Sequence, residues 1–306
     1  MSTKLLRPLL NNKRAMRTAS RMWCATYSTS STDSPVRVQY VSVNAPSFAD
    51  AELTDTPPAD GSGSIAIVTL NRLKAKNSIS RQLLDDLHTA VTRDYAGQGT
   101  RALILRSAAP DIFCAGADLK ERKTFTQDDT RAFLAKLNHT LDLLETQAVP
   151  TIAAIDGVAL GGGLELALAA DFRVLGPSAV VGLPETRLAI IPGAGGTYRL
   201  PRLVGTSRAL DLVLTGRRVG AAEALQLGVA SRALVNSGES ADEGAWALAR
   251  EIGAGGPVAL VAAKQAVRGA APAWEAGMYA RVVNTEDKFE ALAAFAEKRK
   301  PVFKGR

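Results

Sequence analysis

Apolar residues recur along this chain at the two spacings that distinguish strands from helices. In residues 36–43 polar and apolar side chains alternate, which predicts an edge strand, and the apolar segment 64–70 is its predicted hairpin partner. A short continuous apolar run at residues 101–106 predicts a buried strand. Further strands are predicted at 151–155, 172–175 and 180–182.

Helical spacing follows several of these strands. Ser80 predicts the N-cap of a helix that continues to about residue 92, because Leu83, Leu84, Leu87 and Val91 fall on one face. A longer helix is predicted over 126–145, where large apolar residues recur at three- and four-residue steps. The other predicted helices begin at about Gly162 or cover 197–203, 207–214, 221–227, 241–253, 257–270 and 272–298.

The order of these elements predicts the fold class and the domain organisation. Strands and helices alternate through residues 33–237, which predicts an α/β core. Residues 238–306 carry helical patterns only and predict a C-terminal helical subdomain, whose alanine-rich helices favour packing on a neighbouring subunit. The polar stretch 44–63 contains Pro57-Pro58 and predicts a loop.

Charge is distributed unevenly between the start of the chain and the rest. The 306 residues carry a formal net charge of +7, of which +6 falls on residues 1–32, a segment without Asp or Glu. Arginine and serine enrichment without an apolar run predicts a mitochondrial transit peptide, with a disordered basic tail as the alternative. Two cysteines, Cys24 and Cys114, favour a reducing compartment. No apolar run of about 18 residues predicts a membrane span.

Two glutamates lie twenty residues apart in apolar, glycine-rich segments. Glu165 stands in the run Leu164–Ala170, and Glu185 stands before the segment Ile190–Gly196. Burying a carboxylate costs several kcal/mol unless it is paired, and two carboxylates at one pocket can hold and deprotonate water. The alternatives are a helix-surface residue for Glu165 and, for Glu185, a loop residue paired with Arg187 or Arg199.

Two glycine-rich turns supply a second kind of chemistry. Gly161-Gly162-Gly163 connects a predicted strand to a helix, and Ala115-Gly116-Ala117 follows another strand. Backbone N–H groups at such turns are free to point into a cavity, and two of them can form an oxyanion hole. A tight connection is the alternative for each turn. The two histidines, His88 and His139, fit no metal or nucleophile motif.

Several motifs, in order and at matching spacing, resemble one enzyme superfamily. They are Asn71-Arg72 with Asn77-Ser78-Ile79, FCAGADLKE at 113–121, PTIAAIDGVALGGGLELALAADFRV at 150–174, LPETRLAIIPGAGGTYRLPRLVG at 183–205 and the ending EKRKPVFKG. Over residues 64–304 the chain resembles the crotonase (enoyl-CoA hydratase/isomerase) superfamily. FCAGADLKER and the segment 154–174 are similar to its mitochondrial methylglutaconyl-CoA hydratase subgroup.

The resemblance implies a spiral of ββα units with a C-terminal trimerisation subdomain, assembled as a trimer or a dimer of trimers. It also implies that the backbone N–H groups of Ala117 and Gly162 bind the thioester oxygen of an acyl-CoA. Glu165 and Glu185 would hold one water, Glu165 taking its proton and Glu185 serving C2. No metal is implied, and no cofactor beyond the coenzyme A that is part of the substrate.

The resemblance also implies contacts with coenzyme A and a reaction. The implied contact residues are Lys74, Ala75, Lys76, Ala117, Asp118, Leu119, Lys120, Gly161 and Gly162, with Phe303 and Lys304 from a neighbouring subunit. The implied reaction is hydration of 3-methylglutaconyl-CoA to 3-hydroxy-3-methylglutaryl-CoA in leucine degradation, in the mitochondrial matrix. The alternative is a general short-chain enoyl-CoA hydratase of fatty-acid β-oxidation.

RNA binding is the alternative of another class. A basic helical stripe described for one relative would fall on Arg81, Asp85 and Thr89 of this chain, and only the first is basic. Phosphate binding depends on accumulated cations, and residues 33–306 carry a net charge of only +1. The sequence therefore argues against RNA as a partner.

Overall fold

Two sheets carry the fold, and the strands from β3 to β8 alternate between them. The computed structural model describes residues 34–58, 63–109 and 111–306, so the predicted transit peptide lies outside the described residues. The strands are β1 (Val36–Ser42), β2 (Ser64–Leu70), β3 (Thr100–Ser107), β4 (Ile112–Cys114), β5 (Thr151–Ile155), β6 (Val158–Leu160), β7 (Phe172–Leu175), β8 (Val180–Gly182), β9 (Arg218–Gly220) and β10 (Arg232–Ala233).

The larger sheet has the order β1-β2-β3-β5-β7-β10, and the smaller has the order β4-β6-β8-β9. The hairpin of β1 and β2 is antiparallel, as predicted, and β2, β3, β5, β7 and β10 are parallel neighbours. From β3 to β8 the chain forms one strand in the larger sheet, the next in the smaller sheet, and then a helix. This repeating ββα unit confirms the predicted fold class.

The helices cover the sheets and fill the spaces between them. They are α1 (Arg81–Val91), α2 (Leu119–Arg122), α3 (Gln127–Glu145), α4 (Gly162–Leu168), α5 (Gly196–Val204), α6 (Thr206–Thr215), α7 (Ala221–Leu227), α8 (Ala241–Gly253), α9 (Pro257–Gly269), α10 (Pro272–Val282) and α11 (Glu286–Glu297). Short 3-10 turns lie at Leu73–Ala75 and Glu185–Leu188.

Local signals explain where the helices begin. The Ser80 hydroxyl accepts a hydrogen bond from the N–H of Leu83, as expected of an N-cap. The helical pattern predicted over 272–298 contains two helices, because the chain breaks between α10 and α11. Thr285 caps α11 by accepting from the N–H of Lys288, and this cap stops the preceding helix from running through.

Burial explains the continuous apolar runs of the central strands. Every residue of β2 and β5 is buried, because α8 packs on the larger sheet and β4 of the smaller sheet contacts β3 and β5. Parallel strands that are covered on both sides read as unbroken apolar segments rather than alternating ones. The loop 44–63 returns along β1, where Tyr40 and Thr54 exchange two backbone hydrogen bonds of 2.8 and 3.0 Å.

The predicted C-terminal subdomain begins with a helix that belongs to the core. The helix α8 packs on β3, β5 and β7, and residues 34–306 form one compact unit. The later helices expose large apolar side chains, namely Val267, Trp274, Tyr279, Phe289, Leu292 and Phe295. Such exposure is typical of an interaction surface, and oligomerisation through this surface stays a prediction.

Candidate active site

Glu165 lies on α4 and is almost completely buried. The preceding strand β6 and the turn at Gly161 start this helix, which places Glu165 one turn inside it. Only 3% of the residue is exposed, so the helix-surface alternative is wrong. Its Oε1 accepts hydrogen bonds from the backbone N–H groups of Ala194 at 2.7 Å and Gly196 at 2.9 Å.

Glu185 opens the 3-10 turn that follows β8, and it is 8% exposed. It pairs with neither predicted arginine. Arg187 donates to the carbonyl of Thr215, and Arg199 donates to the carboxylates of Glu145 and Asp142. Within the described residues, the buried Oε2 of Glu185 has no hydrogen-bond partner. An uncompensated buried carboxylate oxygen is costly, which is typical of a group kept for chemistry.

The fold brings both carboxylates to one place. A Cβ at Gly161 would lie 3.0 Å from Oε1 of Glu185, and one at Gly196 would lie 3.1 Å from Oε1 of Glu165. Burial, together with the nearby charge of Glu165, raises the pKa of Glu185 to about 7, against the opposing effect of a backbone hydrogen bond. Burial also raises the pKa of Glu165, although the N–H groups of Gly196 and Ala194 oppose that rise.

Two backbone N–H groups lie beside each other near these carboxylates. A Cβ at Gly162 would lie 3.8 Å from the nitrogen of Ala117, and one at Gly116 would lie 3.5 Å from the nitrogen of Gly162. Neither Ala117 nor Gly162 donates its N–H to a backbone carbonyl of the described chain. Both residues are partly exposed. The two glycine-rich turns therefore converge as an oxyanion hole requires.

The segments predicted to follow coenzyme A adjoin this pair of turns. Lys74 and Lys76 are exposed at the 3-10 turn, and the carbonyl of Lys76 accepts from the N–H of Ala115 at 3.1 Å. Leu119 and Lys120 are exposed on α2. The structure thus places the predicted contact segments 74–76 and 117–120 side by side.

Asp118 has a role in the fold that the sequence did not predict. Its carboxylate caps α2 by accepting from the N–H groups of Lys120 and Glu121, and it pairs with Arg72 at 2.6 Å. Burial would raise the pKa of Asp118, but the hydrogen bond from Arg72 and the cap lower it overall. This ion pair joins the chain just before the predicted contact segment 74–76 to the segment that carries Ala117.

Asn77 also stabilises the site, and the sequence did not predict this structural role. It is fully buried with a φ of 52°, a left-handed conformation that asparagine tolerates better than most residues. Its side chain accepts from the N–H of Arg72 and donates to Ser107 and to the carbonyl of Phe113. The motif Asn71-Arg72 with Asn77 included this residue, but the hydrogen bonds of its side chain join separate loops.

Comparison with known proteins identifies the family of this chain. The family model of enoyl-CoA hydratase/isomerase matches residues 60–306. The chain belongs to this family. A methylglutaconyl-CoA hydratase 1, mitochondrial, of Pyricularia oryzae is 47% identical, covering 88% of this chain and 90% of the relative. An enoyl-CoA isomerase/hydratase of Zymoseptoria tritici is 50% identical, covering 87% of this chain and 94% of the relative.

Solved structures agree with the family assignment. The crystal structure of an enoyl-CoA hydratase from Bacillus anthracis superposes with a TM-score of 0.75 at 42% identity. It covers 79% of this chain and 96% of its own. The fold and the family are therefore those of enzymes that act on acyl-CoA substrates.

Phe303 and Lys304 lie away from the other predicted contacts of this family member. Arg101 donates to the carbonyl of Phe303, and Asp287 accepts from the N–H of Lys304. Arg101 lies at the start of β3, whereas the oxyanion turns follow strand ends, and a strand of this length spans about 25 Å. The contact of these two residues with coenzyme A from a neighbouring subunit stays a prediction.

Two other surfaces bear on the class of partner. On α1, Arg81 pairs with Asp129 and Asp85 pairs with Lys136, so the stripe examined for RNA carries ion pairs rather than a run of cations. In the part of the chain that the structure describes, no helix is long and apolar enough to cross a membrane.

Proposed function

We propose that this chain is a hydratase that adds water across the C2=C3 bond of an enoyl-CoA thioester. The observation that supports this most directly is the pair of buried carboxylates, Glu165 and Glu185, beside the two unpaired N–H groups of Ala117 and Gly162. Enzymes that only polarise or isomerise a thioester depend less on two carboxyl groups in one active site. Water addition needs one group to accept a proton and one to donate it.

In this mechanism the thioester oxygen accepts hydrogen bonds from Ala117 and Gly162, which stabilise the negative charge that develops there. Ionised Glu165 takes a proton from water, and the water oxygen bonds to C3. Protonated Glu185 gives its proton to C2, so the product is the 3-hydroxyacyl-CoA. Afterwards Glu165 carries a proton and Glu185 does not, and exchange with solvent restores the starting state.

The two environments favour this division of roles. The carboxylate of Glu165 accepts two backbone N–H groups, an arrangement that stabilises its ionised form. Glu185 lacks such donors at Oε2, and burial raises its pKa to about 7. A pair of carboxylates whose environments differ in this way divides into a base and an acid.

The proposed substrate is 3-methylglutaconyl-CoA, which hydration converts to 3-hydroxy-3-methylglutaryl-CoA in leucine degradation. The relative from Pyricularia oryzae and the motifs at 113–121 and 154–174 support this choice. The basic leader and the mitochondrial relative support a location in the mitochondrial matrix. We propose that coenzyme A enters as part of the substrate, along 74–76 and 117–120, and that the enzyme works as a homotrimer or hexamer.

The substrate assignment is tested by measuring kcat/KM of the full chain with 3-methylglutaconyl-CoA and with crotonyl-CoA. We expect the value for 3-methylglutaconyl-CoA to be higher by about tenfold or more, the effect of one additional charge-assisted contact. A higher value for crotonyl-CoA would instead assign a general short-chain enoyl-CoA hydratase. Turnover of neither ester would refute the hydratase assignment.

The pH dependence of hydration is expected to report the proton on Glu185. Because this group acts as the acid and its pKa is about 7, kcat/KM falls as pH rises through about 7 and Glu185 ionises. A fall at acid pH follows from protonation of Glu165, and the two apparent values belong to the pair rather than to single residues. The measurement is the kcat/KM profile for crotonyl-CoA hydration from pH 5 to pH 9; a flat alkaline limb contradicts the assignment.

A further inference from the structure

One cation beside the oxyanion turn remains without an anionic partner. Arg122 is the last residue of α2, five residues after Ala117. Its Nη1 is inaccessible to solvent, and the guanidinium donates to no acceptor among the residues that the structure describes. Burial lowers its pKa, while the nearby carboxylate of Glu121 opposes this change. A half-buried guanidinium without a carboxylate is costly to maintain.

The other cations around the site are either paired or solvated. Arg72 pairs with Asp118, Arg199 pairs with Glu145, and Arg187 donates to the carbonyl of Thr215. The lysine side chains on the site-lining segments are exposed to solvent, namely Lys74, Lys76, Lys120 and Lys123. Arg122 therefore differs from its neighbours in being both partly buried and free of an acceptor.

Two aromatic rings lie beside this guanidinium. Its Cζ lies 4.6 Å from the ring centre of Phe133 and 5.7 Å from that of Phe125. A guanidinium presents its N–H groups in its own plane, where a carboxylate binds with two parallel hydrogen bonds. The apolar walls also exclude water, which strengthens such a contact.

Packing connects Arg122 with the residues that hold Glu165. Phe133 contacts Arg122 from α3, and the next residue on that helix, Leu134, would lie 3.3 Å from a Cβ at Gly193. Asn138, one turn further, donates to the carbonyl of Gly193 at 2.9 Å. The residue after Gly193 is Ala194, whose N–H binds the Glu165 carboxylate. The helix α3 therefore borders both Arg122 and the loop that positions Glu165.

The dimensions suit a short acyl chain with a charged end. Four carbon–carbon bonds of about 1.5 Å separate the thioester carbon from a carboxylate carbon at C5, a span of about 5 Å. Arg122 stands five residues after Ala117, and α2 advances only about 4.5 Å from Leu119 to Arg122. A carboxylate at C5 matches this short separation between the oxyanion turn and the end of α2.

We propose that the Arg122 guanidinium binds a carboxylate at the far end of the acyl chain and makes the site selective for dicarboxylic acyl-CoA esters. This inference deepens the proposed hydratase function and rests on it for the position of the thioester. The substrate class it names is an acyl-CoA of four or five chain carbons with a terminal carboxylate. Arg122 acts here as a specificity residue and takes no part in proton transfer.

The test uses unreactive saturated esters, so that binding is measured apart from catalysis. Calorimetric titration of the full chain with glutaryl-CoA and butyryl-CoA gives the ratio of their Kd values. We expect glutaryl-CoA to bind about 10- to 100-fold more tightly, and Arg122→Met to abolish that preference. Arg122→Lys keeps the charge without the planar fork and is expected to retain part of the preference. Lys123→Met, which removes the adjacent exposed cation, is the matched control and should leave the ratio unchanged.

Two results overturn the proposal: a wild-type chain without preference for glutaryl-CoA, and an Arg122→Met variant that keeps the preference. If Arg122→Met does not give the circular dichroism spectrum of a folded protein, the Kd ratio of Arg122→Lys is used instead. A wild-type Kd ratio in Arg122→Lys, together with loss of the preference in Lys123→Met, refutes the assignment. Failure of hydration with both enoyl esters, together with a glutaryl-CoA preference that depends on Arg122, would reject the hydratase and keep the carboxylate site. Hydration of crotonyl-CoA without a glutaryl-CoA preference would keep the hydratase and reject the carboxylate site.

Discussion

Glu165→Gln and Glu185→Gln are each expected to lower kcat for hydration by about 10²- to 10⁴-fold, the contribution typical of a positioned acid or base. Glutamine keeps the size of glutamate but neither accepts a proton from water nor donates one to C2. At Glu165 the amide oxygen can still accept from Ala194 and Gly196, so the local structure is preserved. The measurement is kcat for crotonyl-CoA and 3-methylglutaconyl-CoA, with Kd for a saturated acyl-CoA measured alongside.

The binding measurement separates lost chemistry from lost structure. Because neither glutamate contacts the coenzyme A portion in this mechanism, Kd is expected to stay close to the wild-type value. Glu239→Gln changes an exposed glutamate in the same way and serves as the matched control, with wild-type kcat expected. Wild-type turnover in either active-site variant would falsify the two-carboxylate mechanism.

Gly162→Pro is expected to lower kcat/KM by about 10²- to 10³-fold, since it removes one of the two donors to the thioester oxygen. Proline lacks the N–H that is assigned to the oxyanion hole. Gly162 is the first residue of α4, and this position of a helix accepts proline because its N–H has no partner within the helix. The loss should therefore fall on the transition state rather than on the stability of α4.

Gly162→Ala separates the missing donor from simple crowding. Alanine keeps the N–H, and its Cβ would meet the flexible end of Ile79 at 3.3 Å. We expect a far smaller loss of kcat/KM for alanine than for proline, with similar thermal unfolding of both variants. Equal losses in the two variants would assign the effect to steric hindrance and withdraw the donor role from Gly162.

The sequence predicted those parts of the molecule that depend on local pattern. Strand β2 and the capped start of α1 were predicted because periodicity and a serine cap are local signals. The burial of Glu165 was predicted because its sequence neighbours on α4 are apolar. The break within the helical pattern 272–298 also has a local signal, since Thr285 followed by Glu286 is typical of a helix start.

The remaining features depend on contacts between distant segments. Strand β6 has three residues and becomes a strand only by pairing with β4 and β8. The ion pair of Arg72 with Asp118 joins residues 46 positions apart, and no spacing rule selects that partner. The position of Arg122 beside Phe125 and Phe133 likewise depends on the folded chain.

The carboxylate of Glu165 is held by main-chain N–H groups, and this has a consequence for how the enzyme can diverge. A substitution at Ala194 changes a side chain but leaves the donor in place, unless the new residue is proline. The orientation of the base is therefore insulated from most single mutations in the loop that supports it. Side chains such as Arg122 carry no such protection, so a lineage of these enzymes can exchange its acyl preference while the proton-transfer apparatus is inherited unchanged.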